Sequence, residues 1–272
     1  MRLNTTQRES PVILLRLFQC CVVAALAFRV PFLLAQDLTV AAAADLQFAM
    51  QDITSRFAQQ TGKKVQVVYG SSGNFAQQLR NGAPFDMFFS ANVDYPRGLE
   101  REELVESGSF YIYAKGKIAL WAPNGGSLDI HTGLQGLLSP AVKKIAIANP
   151  EHAPYGKAAI AAMQSEHIYE KIKEKLVLGE NISQTASFVT SGAADAGIVA
   201  LALALSPNMK DQGRYVEIPA ADYPAIEQAC VILRSSKNKE VARQFLLFIQ
   251  TKAIQDLLHQ YGFEAAVQIP NS

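Results

Sequence analysis

A short turn rich in serine and glycine joins a predicted strand to a predicted helix. It reads Tyr-Gly-Ser-Ser-Gly-Asn over residues 69–74, and the pattern predicts Ser72, with Ser71 beside it, as the N-cap of a helix over 72–80. The first N–H groups of a helix lack partners within it, and the helix dipole places about half a positive charge there. The turn could therefore bind an anion without a lysine or arginine, although Ser72 could also serve only to cap its helix.

Three other segments also place the start of a helix directly after a strand or loop. Asp45 follows a predicted strand, Tyr155 follows the segment Asn-Pro-Glu-His-Ala-Pro, and Ser183 is predicted to cap a helix in the segment Gly-Glu-Asn-Ile-Ser. With the first turn, two such ends come from each half of the chain. Open α/β sheets place their ligands at this kind of edge, so the four ends together indicate a binding site.

The elements that must position these turns alternate between strand and helix. Strands are predicted over 38–42, 65–69, 86–90, 144–148 and 196–199, and helices over 45–60, 72–80, 155–164, 183–190, 240–250 and 253–260. Strands separated by helices are typical of parallel βαβ units with right-handed crossovers. The fold class predicted from the pattern is therefore α/β.

Two apolar runs are long enough to pass from one lobe to another. They cover residues 111–123 and 226–233, on either side of the second set of strands and helices. We therefore expect two α/β lobes joined by two extended crossing strands, with a cleft between them. The first lobe is predicted over 37–117 with 230–272, and the second over 118–229.

The N-terminal segment, residues 1–36, has the pattern of a secretory signal. Basic residues precede an apolar run over 20–28, which Arg29 interrupts before the chain becomes polar. A membrane anchor is the alternative interpretation, but a helix that crosses a bilayer needs about 20 apolar residues without a charge. The sequence therefore predicts export to the periplasm, with cleavage near Ala35 or Gln36.

Charge and cysteine content exclude several classes of protein. Of 25 basic and 24 acidic residues, the predicted signal carries four and one, so 21 basic and 23 acidic residues remain. A net charge of −2 gives no basic field for nucleic acid. Cys230 is the only cysteine after the signal, so we expect a monomer that needs no disulfide and has no cysteine metal cluster.

Six motifs, taken in order, resemble those of the periplasmic molybdate-binding proteins, the substrate-binding components of ABC importers. They are AAAADL, YGSSGN, NGAPFDMFFSA, IANPEHAPYGKAA, GAADAGIVA and YGF, and the likeness covers residues 38–263. The resemblance implies a type II periplasmic binding protein fold, whose two lobes close on molybdate or tungstate through neutral hydroxyls and backbone N–H groups. It also implies delivery to the membrane permease of an ABC importer, no enzymatic activity, and no cofactor apart from the transported ligand.

The resemblance assigns ligand-binding positions residue by residue. Ser72 matches the family's oxyanion-binding serine, with Ser71 beside it, while Tyr155 and Ile182 match positions that donate a backbone N–H. The molybdate oxyanion would thus be held through Ser72, Tyr155 and Ile182, by contacts with its oxygens. Ala200 stands where better-known members have a tyrosine hydroxyl, and the hydroxyl of Tyr155 could replace it.

Asp45 departs from the family pattern, because better-known members have a serine there that donates to the oxyanion. An ionised carboxylate only accepts hydrogen bonds and would repel a dianion at close range. Three interpretations stay open: Asp45 caps its own helix, it is protonated and binds the ligand, or the ligand is a different small anion.

Two other functions can be drawn from the same residues. A serine hydrolase would use Ser72, His152 and Asp45, but the chain has no Gly-x-Ser-x-Gly elbow. A metal-binding protein would use the histidines, which are scattered without short ligand spacing: His131, His152, His167 and His259.

Overall fold

The computed structural model describes residues 38–266, which form α/β lobes. The predicted signal peptide and its cleavage site lie outside the described residues, as do the last six residues of the chain. The strands are β1 (Leu38–Ala43), β2 (Val65–Gly70), β3 (Met87–Ser90), β4 (Tyr111–Gly116), β5 (Ile118–Pro123), β6 (Ile145–Ala148), β7 (Leu176–Gly179), β8 (Ala196–Ala200), β9 (Gly213–Glu217) and β10 (Ile226–Ile232).

Helices alternate with the strands over most of the chain. They are α1 (Gln47–Thr61), α2 (Ser72–Arg80), α3 (Asp94–Arg101), α4 (Pro154–Ser165), α5 (Tyr169–Ile172), α6 (Ile182–Thr190), α7 (Leu201–Ala204), α8 (Lys239–Ile249) and α9 (Lys252–Gln260). A 3₁₀ turn, Ala44–Leu46, joins β1 to α1, and other 3₁₀ turns lie at Ile130–Leu138, Lys173–Lys175 and Ala220–Asp222.

Each lobe is built on a five-stranded mixed sheet, and the two sheets have matching designs. The strand order is β2-β1-β3-β10-β4 in the first lobe and β7-β6-β8-β5-β9 in the second. In each sheet three neighbouring strands run parallel. A fourth strand, β10 in the first sheet and β5 in the second, pairs antiparallel with the strands on both of its sides. The predicted α/β fold with two lobes is confirmed.

The register of the parallel strands determines where the turns lie. Ala43 at the end of β1 pairs with Gly70 at the end of β2, so the turns that follow both strands leave the sheet side by side. In the second lobe, Ala148 of β6 pairs in the same way with Gly179 of β7. The carboxyl ends of these strands therefore bring together the turns that the sequence singled out.

Burial explains why these segments form strands and helices. The inner strands β1 and β3 are mostly apolar and almost wholly buried, as expected for parallel strands covered by helices. Helix α1 buries Met50, Ile53 and Phe57 on one face. It ends at Gly62, whose φ of 71° is the left-handed conformation that favours glycine at a helix end.

The two crossings between lobes differ from the prediction. The run over 111–123 is not one strand but two, because β4 belongs to the first sheet, β5 to the second, and Lys117 lies between them. The run over 226–233 is not a crossing, since β10 lies wholly in the first sheet and is apolar because it is buried there. The second crossing is 218–225, so the predicted boundary at 229/230 lies a few residues too late.

Ionic contacts connect the crossings to each other. The Lys117 ammonium lies 2.8 Å from the carboxylate of Glu264 and 3.3 Å from that of Glu217, the last residue of β9. These partners, Glu264 first, raise the pKa of Lys117, so it stays charged at neutral pH. The ion pair with Glu217 thereby joins the first connection to the residue that precedes the second.

Cys230 lies fully buried in β10 and is the free cysteine of residues 38–266. Burial raises the pKa of its thiol, so very little thiolate is present at neutral pH. Among the helices of that segment, none is long and apolar enough to cross a membrane.

Candidate functional site

A small cavity lies between the two lobes. Both lobes line it, and none of its lining residues in the described part of the chain is a lysine or arginine. The lining residues are Ala43, Ala44, Asp45, Gly70, Ser71, Ser72, Ala91, Ala153, Pro154, Tyr155, Asn181 and Ile182. The structure thus brings together all five residues that the sequence predicted as ligand-binding.

Three helices begin at this cavity, one from the first lobe and two from the second. Ser72 is the first residue of α2, Ile182 is the first of α6, and Tyr155 follows Pro154 at the start of α4. N–H groups of a first helical turn have no acceptor within the helix. Because Pro154 has no N–H, the first such donor of α4 belongs to Tyr155.

Asn181, which the sequence reasoning missed, leaves the N–H of Ile182 without a partner in the helix. Its side chain accepts hydrogen bonds of 3.0 Å from the N–H groups of Ser183 and Gln184. Asn181 is therefore the N-cap of α6, and the prediction that Ser183 caps this helix is wrong. An asparagine just before an apolar helical segment is a standard capping signal, so the sequence did contain this information.

The predicted cap at Ser72 is also wrong. Helix α2 begins at Ser72, so its N-cap position is Ser71, whose hydroxyl makes no capping hydrogen bond. The Ser72 hydroxyl instead accepts a hydrogen bond of 2.9 Å from the N–H of Ala91. A serine that accepts in this way still has its own O–H to donate, and Ser72 is buried against the cavity.

Hydrogen bonds join the two lobes around the cavity. The carbonyl of His152 accepts from the Ser71 hydroxyl at 2.5 Å and from the Gly73 N–H at 2.9 Å. At the rim, the Asn74 amide donates to the Glu180 carboxylate at 2.5 Å. On the other side of the cavity, the hydroxyl of Ser183 donates to the carbonyl of Ala44 at 3.0 Å. The lobes therefore stand closed on the cavity.

Gly73 allows this closure because of its size. A Cβ atom at this position would lie 2.6 Å from the carbonyl oxygen of His152 and 2.9 Å from its Cα. Contacts this short with backbone atoms do not occur, so a larger residue would hold the lobes apart. Close approach between two backbones is a recurring reason for glycine in proteins.

Asp45 does not cap its helix, which removes the first of its three interpretations. No side-chain capping bond is made at the start of α1 or of the 3₁₀ turn before it. One oxygen, Oδ2, accepts hydrogen bonds from the Tyr155 hydroxyl at 2.8 Å and from the Gln228 amide at 2.6 Å. The other oxygen, Oδ1, is buried and has no hydrogen-bond partner in the described part of the chain.

Burial dominates the electrostatics of Asp45. It raises the pKa of the carboxyl group. Hydrogen bonds from Gln228, from Tyr155 and from the backbone N–H groups of Asp45 and Leu46 only partly oppose it. Burial also raises the pKa of the Tyr155 and Tyr113 hydroxyls well above the ordinary tyrosine value, so both remain donors. The site is thus a buried network of hydroxyl and amide groups around one carboxyl group with a raised pKa.

The hydroxyl of Tyr155 does not replace the tyrosine hydroxyl that is missing at Ala200. It is committed to Asp45 and accepts a further hydrogen bond of 3.0 Å from Gln228. Ala200 is fully buried at the end of β8 and does not line the cavity. What Tyr155 offers to the cavity is its backbone N–H.

The residues of the hydrolase alternative do not form a catalytic relay. The Nδ1 atom of His152 lies 2.9 Å from the hydroxyl of Ser71, not of Ser72, and its Nε2 lies 3.7 Å from Glu180. As for the metal alternative, no three histidine, cysteine or acidic side chains come together to hold a metal within residues 38–266.

The chain belongs to the family of bacterial extracellular solute-binding proteins, whose model matches residues 38–264. It is 35% identical to the molybdate-binding protein ModA of Azotobacter vinelandii over 84% of this chain and 90% of that protein. It is 33% identical to the protein of the same name from Rhodobacter capsulatus, over 84% of this chain and 88% of the relative.

A solved structure gives the same result for the fold. The periplasmic molybdate-binding protein of Azotobacter vinelandii matches with a TM-score of 0.79 and 32% sequence identity, over 85% of this chain and all of the solved one. The resemblance to periplasmic molybdate-binding proteins and the type II binding fold, both predicted from the motifs, are confirmed. So is the prediction of a binding protein that is not an enzyme, because these relatives are named as molybdate-binding proteins.

Proposed function

We propose that the protein captures a tetrahedral oxyanion, molybdate or tungstate, in the cavity between its lobes and delivers it to the permease of an ABC importer. The observation that carries the proposal is the convergence of three helix starts from both lobes on one cavity without a lysine or arginine. Helix N-termini stabilise anions through free N–H groups and the helix dipole.

The groups that would bind the anion are the donors at the cavity that are not already used in hydrogen bonds within the protein. The O–H of Ser72 and the N–H groups of Tyr155 and Ile182 are the donors, and Asp45 lies beside them. Ser71 lines the cavity too, but its hydroxyl is committed to His152, so we assign it to closure of the lobes. Molybdenum itself would be touched by no protein atom, because the donors reach only the oxygens.

Neutral donors suit an anion that carries no proton. Each N–H or O–H directed at a charged oxygen makes a hydrogen bond about twice as strong as one between neutral groups. A deprotonated dianion can accept hydrogen bonds from all of these donors at once, so every donor has a partner. The names of the relatives from Azotobacter vinelandii and Rhodobacter capsulatus, both molybdate-binding proteins, support this ligand class.

Export and the partner complete the proposal. The predicted signal peptide over 1–36 would direct the chain to the periplasm, where it would act as a monomer. The lobes, 37–117 with the chain from residue 226 onward and 118–225, would open and close about Lys117. The closed form would be the one presented to the permease, because it holds the ligand.

Calorimetric titration of the mature protein with molybdate, tungstate, sulfate and phosphate tests this function. We expect one saturable site for molybdate and tungstate and much weaker binding of phosphate. Ser72→Ala should weaken molybdate binding by about 1 to 3 kcal/mol, through the loss of one hydrogen bond to a charged group. The exposed Ser55 of α1 provides the control, since Ser55→Ala should bind like the unmodified protein. Absence of binding by all four anions would refute the proposal.

A further inference from the structure

We propose that Asp45 is a neutral carboxylic acid in the anion complex and that it donates its proton from Oδ1 in a hydrogen bond to the bound oxyanion. The inference deepens the proposed function and rests on it. It stands on the different surroundings of the two carboxyl oxygens, on the position of Asp45 in the cavity wall, and on the absence of a cation from that wall in the described structure.

The oxygen Oδ2 acts as the acceptor of the carboxyl group. The hydroxyl of Tyr113 donates to Oε1 of Gln228 at 2.7 Å, which orients the amide so that its NH₂ group faces Asp45. The hydroxyl of Tyr155 uses its only proton on the same Oδ2. Two donors directed at one oxygen leave no room for a proton there.

The proton of a neutral Asp45 would therefore reside on Oδ1. This atom is shielded from solvent and lacks a partner among residues 38–266, although buried polar groups are nearly always hydrogen-bonded. Asp45 lines the cavity together with Ser72, Tyr155 and Ile182. An acceptor in that cavity, such as an oxyanion oxygen, would give Oδ1 the partner that the protein does not.

No neighbouring positive charge favours an ionised Asp45. The side chains that face it are Tyr155 from α4, Tyr113 from β4 and Gln228 from β10, and the backbone N–H groups of Asp45 and Leu46 also lower its pKa, by less than burial raises it. None is cationic, and both tyrosines remain protonated. A carboxylate and a dianion would thus meet in a buried site with nothing between them to compensate, whereas protonation changes this repulsion into a hydrogen bond.

The protonation state determines which anions the cavity accepts. With a neutral Asp45 every group around the anion donates, so hydrogen phosphate, which has an O–H of its own, finds no acceptor. With an ionised Asp45 the preference would be reversed, because Oδ1 would accept the proton of such an anion. The proposal therefore predicts selection of fully deprotonated oxyanions.

Infrared spectroscopy distinguishes the two states, because the C=O stretch of a carboxylic acid is well separated from carboxylate bands. We expect the molybdate complex of the mature protein to show this band, and Asp45→Asn to lack it. Asn keeps an acceptor for Tyr155 and Gln228 and presents an N–H where the acid presents its O–H, so its molybdate affinity should change by only a few-fold. Asp52→Asn, at an exposed position of α1, should retain the band.

Two outcomes would overturn the inference in distinguishable ways. If the protein binds molybdate but the complex shows no carboxylic acid band that Asp45→Asn removes, the inference is wrong and the proposed function stands. Preferential binding of hydrogen phosphate over molybdate would contradict both the inference and the proposed ligand, and it would indicate an ionised Asp45. If neither the unmodified protein nor Asp45→Asn binds molybdate, the proposed function fails, and the inference with it.

Discussion

The hydroxyl of Ser71 in the first lobe donates a hydrogen bond of 2.5 Å to the backbone carbonyl of His152 in the second. His152 lies three residues before Tyr155, the second residue of α4 at the cavity. The same short segment therefore makes a contact between the lobes and contributes a residue to the candidate site. Closure positions the backbone donor of Tyr155, and this relationship gives separate tests for closure and for binding.

Ser71→Ala should weaken molybdate binding about two- to tenfold, since a typical neutral hydrogen bond contributes about 0.5 to 1.5 kcal/mol. The effect should appear as faster dissociation, because the bond holds the closed form together and does not touch the anion. Stopped-flow displacement and calorimetry measure the two quantities. A loss as large as that of Ser72→Ala, in the association rate as well, would instead place Ser71 on the anion.

Gly73→Ala should prevent full closure, because the added Cβ would lie 2.6 Å from the His152 carbonyl oxygen. We expect molybdate affinity to fall by at least about tenfold, which corresponds to about 1.4 kcal/mol. Small-angle scattering should show no contraction when molybdate is added. The matched control is Gly98→Ala in α3, where the nearest atom is the flexible end of Arg80. If Gly73→Ala binds and contracts normally, closure does not pass through this contact.

Asp45 should make stability depend on pH. Burial raises its pKa in the folded protein above the unfolded value of about 4, so the folded state retains a proton that the unfolded chain has lost. The free energy of unfolding should therefore fall as pH rises from about 4 through the folded pKa. Asp45→Asn lacks this term, so its stability relative to the unmodified protein should increase with pH. Urea denaturation at several pH values measures this, and parallel curves for the two proteins would contradict the prediction.

Molybdate should stabilise the folded protein by mass action. At about 100 times its dissociation constant, a ligand that binds only the folded form adds about 2.7 kcal/mol to the free energy of unfolding. In the proposed complex the protein donors would contact the oxygens and not the metal, so a chelator of divalent cations should leave the thermal shift unchanged. Differential scanning calorimetry with and without the chelator checks this. A shift that the chelator abolishes would indicate a bound divalent cation instead.

Local patterns predicted the elements that bury a continuous apolar face. The helix predicted over 72–80 agrees with α2 at both ends, and five predicted strands agree with β1, β2, β3, β6 and β8 within one or two residues, whereas β7 was missed. Helix α3 was missed because Pro96 and Gly98 lower its helix propensity, and it is held by burial of Leu99. The largely polar edge strand β9 was missed because it has little apolar sequence.

The residues of the candidate site could be predicted only where the sequence of a single turn indicates the start of a helix. Ser72, Tyr155 and Ile182 lie at helix starts that local sequence marks, and the resemblance supplied their roles. The environment of Asp45 could not be predicted, since Gln228 is 183 positions away in sequence and only the sheet order places β10 between β3 and β4, one strand away from β1. The only indication in the sequence was a glutamine within an apolar strand, because a buried glutamine needs a polar partner.

Because the thiol of Cys230 is unreactive, cysteines introduced elsewhere in the protein can be labelled selectively. Its buried thiol is the only one in residues 38–266, and its raised pKa leaves almost no thiolate for a maleimide to attack. Cysteines introduced at the exposed positions Gln78 of α2 and Ser187 of α6 would therefore react selectively. A pair of fluorophores on these two helices would report the distance between the lobes in single molecules, without prior removal of any native cysteine from this part of the chain.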